Sequence, residues 1–454
     1  MVLLNNNKIN GFGGIKRAYL NNTLIFQAFK KDEEVISPYD ITSTYNVTST
    51  TSPTKICDKT SAITEMYVDS VQIDVSSGYT FSTTGEHTVQ YMLADKTTIR
   101  NFLFDGCSDL TSVTIPDSVT NIGTGAFRSC SGLTSVDIPS SVKSVGNSSF
   151  EYCSSLTSIN IPSSVTSIGT YSFSDCSSLT NVDIPSSVIN IGYEAFKNTP
   201  FYNNFPNGDV YLGSCYYKYK GTMPSNTSIT IKDGTKSISG KAFQGCSGLT
   251  EIVIPDSVIS IGYSALEDCT SLTEIVIPDS VTSIGDYAFG SCSGLTYINI
   301  PSSVTSIGSS AFYSCSSLTS ITLPQNLSSN IGNNTFGGCK RLTEIVIPDS
   351  VPSISGSAVF SGCTSLKKVT IGSGVTTVGN SGFIYKSIFT GCTSLNSITC
   401  LAPTAPKLLK KSIQGIENNG GVLYVPNGSD YSTWKAILTS WTIQYLTWLK
   451  KGTF

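Results

Sequence analysis

Fourteen cysteines are the first residues to consider for chemistry in this chain of 454 residues. Thiols form disulfides, bind zinc or act as nucleophiles, and each role needs particular partners. A regularly recurring Cys instead predicts a packing position, where it behaves as a small hydrophobe. Stacked cysteines would each have two equivalent neighbours and no unique disulfide partner, so we expect reduced thiols. Eleven cysteines share one frame, mostly 23 or 24 residues apart: Cys107, Cys130, Cys153, Cys176, Cys246, Cys269, Cys292, Cys315, Cys339, Cys363 and Cys392.

Other catalytic groups are scarce in this sequence. His87 is the single histidine and no C-x-x-C pair occurs, although zinc sites and nucleophilic triads depend on such residues. The Asp residues that follow proline recur because a turn recurs. A calcium ion between stacked Asp256 and Asp279 would lack most of the six or more oxygens that it prefers. We therefore predict no catalytic residue, no metal, no cofactor and no enzyme activity.

The cysteines belong to a repeated unit of 23 residues. In the unit that begins at Cys107, the apolar residues fall at repeat positions 4, 7, 9, 13, 16 and 21. The first three have the spacing of a leucine-rich repeat strand, and Pro116 ends that strand because proline cannot donate to the ladder. Gly123 permits the next turn. The six apolar residues are Leu110, Val113, Ile115, Val119, Ile122 and Phe127.

One unit alone cannot fold, because its strand edges are open and its apolar face is half covered. Stacking supplies the missing neighbour on both sides. The sequence therefore predicts a β-rich solenoid, a leucine-rich repeat array of about twelve 23-residue coils with a cap at each end. At about 4.8 Å per strand, such a body is on the order of 55 Å long.

The repeated phrase C-x-x-L-x-x-[VI]-x-I-P-x-S-V-x-x-I-G-x-x-A-F returns nearly intact about eight times. This phrase resembles the BspA-like leucine-rich repeat family, and the resemblance covers residues 107–400. It implies a surface or secreted adhesive module of bacteria, with relatives in the phages that infect them.

The sequence before the repeats differs from them in composition and in predicted structure. Residues 1–41 predict a β-hairpin module, with runs at 15–20 and 23–28 around Asn21-Asn22. The phrase GIKRAYLNNTLIFQ is similar to segments near the start of phage tail and baseplate proteins, which implies an attachment segment; a small β subdomain without that role is the alternative. Residues 42–64 predict a Ser/Thr-rich linker by composition, and residues 65–106 predict the N-terminal cap.

Further irregularities interrupt or follow the solenoid at 107–400. Residues 199–222 predict an inserted hairpin, and the extra residues 381–386 predict a bulging loop. Residues 401–454 predict a C-terminal cap with the strand Gly421–Pro426 and a helix capped by Asp430. The helix would carry Trp434, Ile437, Leu438 and Trp441 on one face, and these tryptophans, with Trp448, would cover the end of the core.

The concave strand face is the candidate binding surface, since its outward side chains stand at repeat positions 6 and 8. Its first half offers groups suited to sugar hydroxyls, and its second half offers Glu beside Val. An ordinary solvated face is the alternative. The insertion is a candidate binding loop, or else it covers a packing defect. The candidate residues are Asp137, Asn160, Asn181, Asp183, Glu251, Glu274, Tyr297 and Asn299 on the strands, and Tyr211, Tyr216, Tyr217 and Tyr219 in the insertion.

The charge, the hydropathy and the N-terminal sequence limit the kinds of partner that the chain could have. The net charge of −3 and the 13% of charged residues predict no nucleic acid partner. No apolar run approaches the roughly 18 residues of a membrane span, so we expect no membrane insertion. The first residues lack a signal-peptide pattern, so either a signal was trimmed or the protein reaches its site without the secretory route, as a virion component would by host lysis.

Three functions remain open at this point. The first is a phage tail or fibre protein in the virion, whose N-terminal module docks on other virion proteins while the solenoid contacts a host surface glycan or protein. The second is a bacterial cell-surface or secreted adhesin. The third is a structural spacer or decoration protein. The oligomeric state stays open.

Overall fold

A computed structural model shows a β-solenoid of about 15 coils with little helix, which confirms the predicted fold class. The structure describes residues 39–379, 387–409, 413, 415–417 and 419–446, and within residues 1–38 only the course of short strands. Residues 381–386 and Trp448, for which a loop and a capping role were predicted, lie outside the described residues.

Each coil contributes a front strand, formed near repeat positions 6–8, to one side of the stack. Neighbouring front strands run parallel, and each residue pairs with the equivalent residue of the next coil. Ser112 pairs with Ser135, for example, and Val113 pairs with Val136. The front strands are Leu110–Thr114, Ser135–Asp137, Ser158–Asn160, Asn181–Asp183, Thr227–Thr230, Leu249–Val253, Tyr297–Asn299, Ser320–Thr322, Glu344–Ile347, Lys368–Ile371, Ser397–Cys400, Gly421–Pro426 and Trp441–Leu446.

A second set of two-residue strands, the back strands, forms near repeat positions 15 and 16. They also pair in parallel, as Ser144 with Ser167 and Val145 with Ile168 do. These strands are Thr98–Ile99, Asn121–Ile122, Ser144–Val145, Ser167–Ile168, Asn190–Ile191, Ser237–Ile238, Ser260–Ile261, Ser283–Ile284, Ser306–Ile307, Ser353–Ile354, Thr377–Val378 and Lys407–Leu408.

The core between the two sets of strands is built from residues that repeat from coil to coil. Successive phenylalanine rings stack almost in parallel, with centroids 5.2 to 5.4 Å apart in the run that starts at Phe104 and ends at Phe196. A second run, from Phe289 to Phe389, has spacings of 5.5 to 5.8 Å. The predicted repeat frame is therefore the frame of the core.

Residues 199–222 contain the predicted hairpin, formed by the antiparallel strands Gly208–Leu212 and Cys215–Lys220. The hairpin is nevertheless part of the stack and not an addition to it. Thr199 is fully buried in the place that Cys occupies in other coils, 23 residues after Cys176. Cys215 pairs in parallel with Ser237 of the next back strand. This segment, with the short helix Pro200–Asn203, acts as a coil, and it is one reason that about 15 coils exceed the predicted twelve.

The predicted linker at 42–64 is wrong. Ile41–Val47 is a strand that lies between Gly85–Leu93 and the first front strand, antiparallel to both. Alternate side chains of this strand are buried, among them Ile41 and Tyr45. The Ser and Thr residues between them give the segment the composition of a linker although it is a strand. The cap therefore begins at Ile41 and not at residue 65.

The rest of the N-terminal region is a set of short strands. Ile63–Val68 pairs with both Val71–Ile73 and Gly85–Leu93, while Thr54–Lys55 pairs with Gly78–Tyr79. A single 3-10 turn spans Thr60–Ala62. Within residues 1–38, the antiparallel pairs are Leu3–Leu4 with Asn7–Lys8, Ala18–Leu20 with Thr23–Phe26, and Phe29–Lys31 with Glu34–Ile36.

The C-terminal helix is shorter than predicted. It spans Ser432–Ile437 with Tyr431 at the N-cap position, so the predicted cap Asp430 lies one residue earlier, where it accepts a hydrogen bond from the backbone N–H of Ser432 at 2.8 Å. Trp441 does not lie on this helix but starts the last front strand. Trp434 and Trp441 are both buried, and their indole N–H groups donate to backbone carbonyls. The tryptophans therefore close the core from a helix and a strand together.

Candidate binding surface

The front strands position the candidate residues by simple alternation. The strands at Ser135–Asp137, Ser158–Asn160, Asn181–Asp183 and Tyr297–Asn299 each bury the central side chain and expose the two beside it. The side chains at repeat positions 6 and 8 therefore form one continuous outward surface, which we call the front face. All eight predicted residues of this surface are exposed: Asp137, Asn160, Asn181, Asp183, Glu251, Glu274, Tyr297 and Asn299.

The N-terminal half of the front face is polar. Parallel pairing sets Asn160 beside Asp183, and Ser158 beside Asn181. Asp137 lies next to Thr114 in the same way. Hydroxyl, amide and carboxylate groups in adjacent coils offer both donors and acceptors, which is the chemistry that binds sugar hydroxyls.

The C-terminal half of the front face has a different character. Val276 is 80% exposed and Val253, one coil before it, is 47% exposed. Glu251 and Glu274 stand beside these valines, and Ser228 donates a 2.8 Å hydrogen bond to Glu251. Tyr297, 48% exposed, follows in the next coil. This part of the face is a small apolar surface with carboxylates at its side.

The insertion tyrosines lie in the core or against it, which argues against a binding loop. Tyr216 and Tyr217 are buried, and the Tyr216 ring stacks on Phe243 with 4.5 Å between centroids. Tyr211 and Tyr219 are partly buried and pack against the same core. The rings of the hairpin lie between the two runs of stacked phenylalanine rings. The alternative interpretation, that the hairpin covers a packing defect, agrees with this arrangement.

A row of tyrosines on another surface was missed by the sequence analysis. Tyr171, Tyr193, Tyr263 and Tyr287 form a chain of ring contacts with centroid distances of 5.1, 5.1 and 6.1 Å. The ammonium of Lys241 lies 4.7 Å from the centroid of the Tyr193 ring. All four tyrosines occupy repeat position 18 or 19, so aligning the coils outside the strands was the signal that could have found them.

The cysteines are packed in the core. All fourteen are free and buried, which confirms that they are core residues. The thiol of Cys130 donates to the carbonyl oxygen of Phe104 at 3.0 Å, and the same bond recurs from Cys315 to Phe289 at 3.0 Å. Burial raises the pKa of Cys292 to about 12, so this thiol stays protonated near neutral pH.

His87 forms hydrogen bonds within the N-terminal cap. Its Nδ1 lies 2.7 Å from Asp69 Oδ2, and its Nε2 lies 3.0 Å from the carbonyl oxygen of Thr83. Both ring nitrogens thus have protein partners that connect the turn at Asp69 to the strand Gly85–Leu93. Across the residues that the structure describes, no group of three His, Cys, Asp or Glu side chains is placed to hold a metal ion. No helix in the described part of the chain is long and apolar enough to cross a membrane.

The fold and this surface define a class of protein: a solenoid of leucine-rich repeats that presents rows of exposed side chains. The profile of the BspA type leucine rich repeat region, six copies, matches residues 97–223, 212–329 and 329–402. The chain belongs to the BspA type leucine-rich repeat family.

Solved structures with similar folds come from several bacteria. A leucine-rich repeat protein from Bacteroides ovatus is 26% identical over 74% of this chain and 95% of its own, with a TM-score of 0.32. A leucine rich cell surface protein from Faecalibacterium prausnitzii is 25% identical over 68% of this chain and 84% of its own, with a TM-score of 0.27. The pneumococcal vaccine antigen PcpA is 20% identical over 79% and 86%, with a TM-score of 0.34. No curated protein matches the chain.

Proposed function

We propose that the chain is a non-enzymatic adhesion module of the bacterial cell surface or its surroundings, which holds a surface glycan or protein on the front face. Membership of the BspA type family supports the location, because these repeat proteins are typically found at the cell surface or outside the cell. The observation that carries the proposal is the front face itself, whose exposed residues change from Asp, Asn and Ser to Glu, Val and Tyr along the stack.

The exposed valines are the best indication of a partner. Val253 and Val276 lie in adjacent coils at repeat position 8, where Val346 is also exposed, while the other front strands of the repeats carry Thr, Asn or Asp there, as at Thr114, Asn160 and Asp183. Nothing in the fold requires Val at this position, because the side chain points away from the core. Apolar side chains that are exposed side by side, with polar groups around them, are typical of interaction sites.

The phage interpretation gains nothing from the family match, which begins at residue 97 and leaves the N-terminal module outside it. The adhesin interpretation needs only the solenoid and its face. The spacer interpretation has no observation in its favour, and it is an outcome of the experiment below.

The test compares two double variants on an array of host glycans and immobilised host surface proteins. Asp137→Ala with Asp183→Ala removes two carboxylates from the front face, and each lost polar contact costs about 1–3 kcal/mol of binding free energy. The matched control, Asp117→Ala with Asp256→Ala, removes two exposed carboxylates from turns away from the face.

We expect the front-face pair to weaken binding at least tenfold while the control binds as the wild type does. Val276→Ser extends the test to the apolar half. Equal binding by all variants, or no binding by the wild type, would refute the front face as the binding surface and favour a spacer.

A further inference from the structure

A polar pocket lies at the N-terminal end of the solenoid, away from the front face. It has a volume of about 400 Å³ and is lined by Lys59, Ser61, Thr98, Arg100 and Asn101. Thr98 belongs to the first back strand, so this pocket is on the opposite set of strands from the candidate binding residues. The proposed function does not depend on it.

The lining is rich in hydrogen-bond donors. Lys59 and Arg100 can only donate. The side-chain oxygen of Asn101 already accepts the backbone N–H of Thr124 at 2.9 Å, which leaves the NH₂ group of this amide for a ligand. The hydroxyls of Ser61 and Thr98 donate or accept as required. None of the described residues that line the pocket carries a carboxylate.

The charges around the pocket leave a positive surplus. Asp58 is shared between two ammonium groups, at 2.8 Å from Lys55 and 3.3 Å from Lys59, so one carboxylate faces two cations. Arg100 forms no ion pair with the described residues within 4.0 Å. The charge of Asp95 also acts on Arg100, so Lys55, Lys59 and Arg100 stand against the two carboxylates of Asp58 and Asp95, a surplus of one positive charge. This surplus is local, since the whole chain has a net charge of −3.

We propose that this pocket binds a compact oxyanion, a sulfate, phosphate or carboxylate group, carried on a saccharide. An arginine fork beside a lysine is suited to the oxygens of such a group, because guanidinium donates two parallel hydrogen bonds. A volume of 400 Å³ lies in the range of about 300–1,000 Å³ typical of small-molecule pockets, so there is room for more than the bare ion. The serine, threonine and asparagine side chains then meet sugar hydroxyls.

The experiment measures binding of three probes to the full chain by calorimetry: a sulfated disaccharide, its desulfated counterpart and inorganic sulfate. We expect the sulfated disaccharide to bind at least tenfold more tightly than either other probe, and its affinity to fall as salt is raised. Arg100→Gln and Lys59→Gln should each weaken it about tenfold. Lys143→Gln, which removes an exposed lysine elsewhere on the solenoid, is the control and should change affinity less than twofold.

Three results would overturn the proposal. Equal binding of the sulfated and desulfated sugars would show that the pocket does not recognise the oxyanion. Equal binding of inorganic sulfate and the sulfated disaccharide would show that it does not recognise the saccharide. Unchanged affinity in the combined Arg100→Gln and Lys59→Gln variant would place the ligand elsewhere. The variant with Asp137→Ala and Asp183→Ala serves as a cross-check, because it should bind the sulfated disaccharide normally even if the front face fails its own test.

Discussion

Individual residues in this chain are determined by their place in the repeat more than by their chemical type. Cysteine shows this most clearly, because its side chain is small enough for the core and its S–H group donates to a backbone carbonyl 26 residues earlier, as from Cys153 to Phe127 and from Cys292 to Leu266. Alanine would lack the donor and leave a small void, and serine would bring a stronger polar group into an apolar core. The regular spacing in the sequence was sufficient to predict this role.

Thiol chemistry gives the first prediction. At pH 8 the native protein should react with almost no thiol reagent, and after unfolding in denaturant it should react with fourteen equivalents, because every cysteine is buried. Counting modified thiols by mass spectrometry checks this. Rapid labelling of several cysteines in the native protein would show that the stack opens or that these thiols are exposed.

Alkaline pH gives the second prediction. Burial raises the pKa of Cys176, Cys292 and Cys363 from about 9 to about 12, so their stabilising effect is complete below pH 9 and is lost as the pH rises towards 12. Each such thiol lowers the free energy of unfolding by about 1.4 kcal/mol per pH unit in that window. Denaturant titrations at pH 8, 9 and 10 should therefore show a steep decrease above pH 9, and a flat profile would contradict the burial of these groups.

A matched pair of substitutions tests the repeat frame. Phe289→Ala removes a fully buried ring from the phenylalanine column and should cost about 3–5 kcal/mol of unfolding free energy. Asn299→Ala, on the front face in the next coil, should cost under about 0.5 kcal/mol. Chemical denaturation of both variants measures the difference, and similar losses would mean that the front face is not solvent-exposed.

At the scale of elements, the sequence was informative wherever the repeat is regular and failed where it is not. Buried and exposed positions of the front strands, including all eight candidate residues, follow from alternation along the L-x-x-V-x-I pattern. The hairpin coil was taken for an insertion because Thr199 and Met223 replace the expected cysteines. The capping strand Ile41–Val47 was taken for a linker because its partners, Gly85–Leu93 and Leu110–Thr114, are distant in sequence and lend it stability that local composition does not reveal.

The capping strand leads to a prediction about truncation. Deleting residues 1–38 removes strands whose described pairings are with one another, so the solenoid should remain folded with an unchanged melting temperature. Deleting residues 1–62 also removes Ile41–Val47 and exposes the first coil, including Leu110 and Val113. We expect this longer deletion to lower the melting temperature markedly or to give aggregated protein. Equal stability of the two fragments would show that the cap is dispensable.

At the scale of the whole molecule, the solenoid is two cores joined at the hairpin coil. One buried cluster runs from Ile41 to Tyr217 and the other from Tyr216 to Trp441, so neighbouring residues of one strand point into different cores. The first run of back strands also ends at Asn190–Ile191, just before the hairpin. In a stack where each coil contacts only its neighbours, such a junction limits how far stability is shared. The hairpin coil is therefore expected to be a boundary in unfolding.

Hydrogen exchange on two equivalent variants tests this boundary. Ile168→Ala and Ile307→Ala truncate buried residues at repeat position 16, one in each core, and each should cost about 2–5 kcal/mol locally. Ile168→Ala should speed exchange in coils before the hairpin and leave the later coils protected, and Ile307→Ala should do the reverse, because the two cores open separately. Equal loss of protection on both sides of the hairpin in both variants would mean that the stack unfolds as one cooperative unit and that the hairpin coil transmits stability as well as any regular coil does.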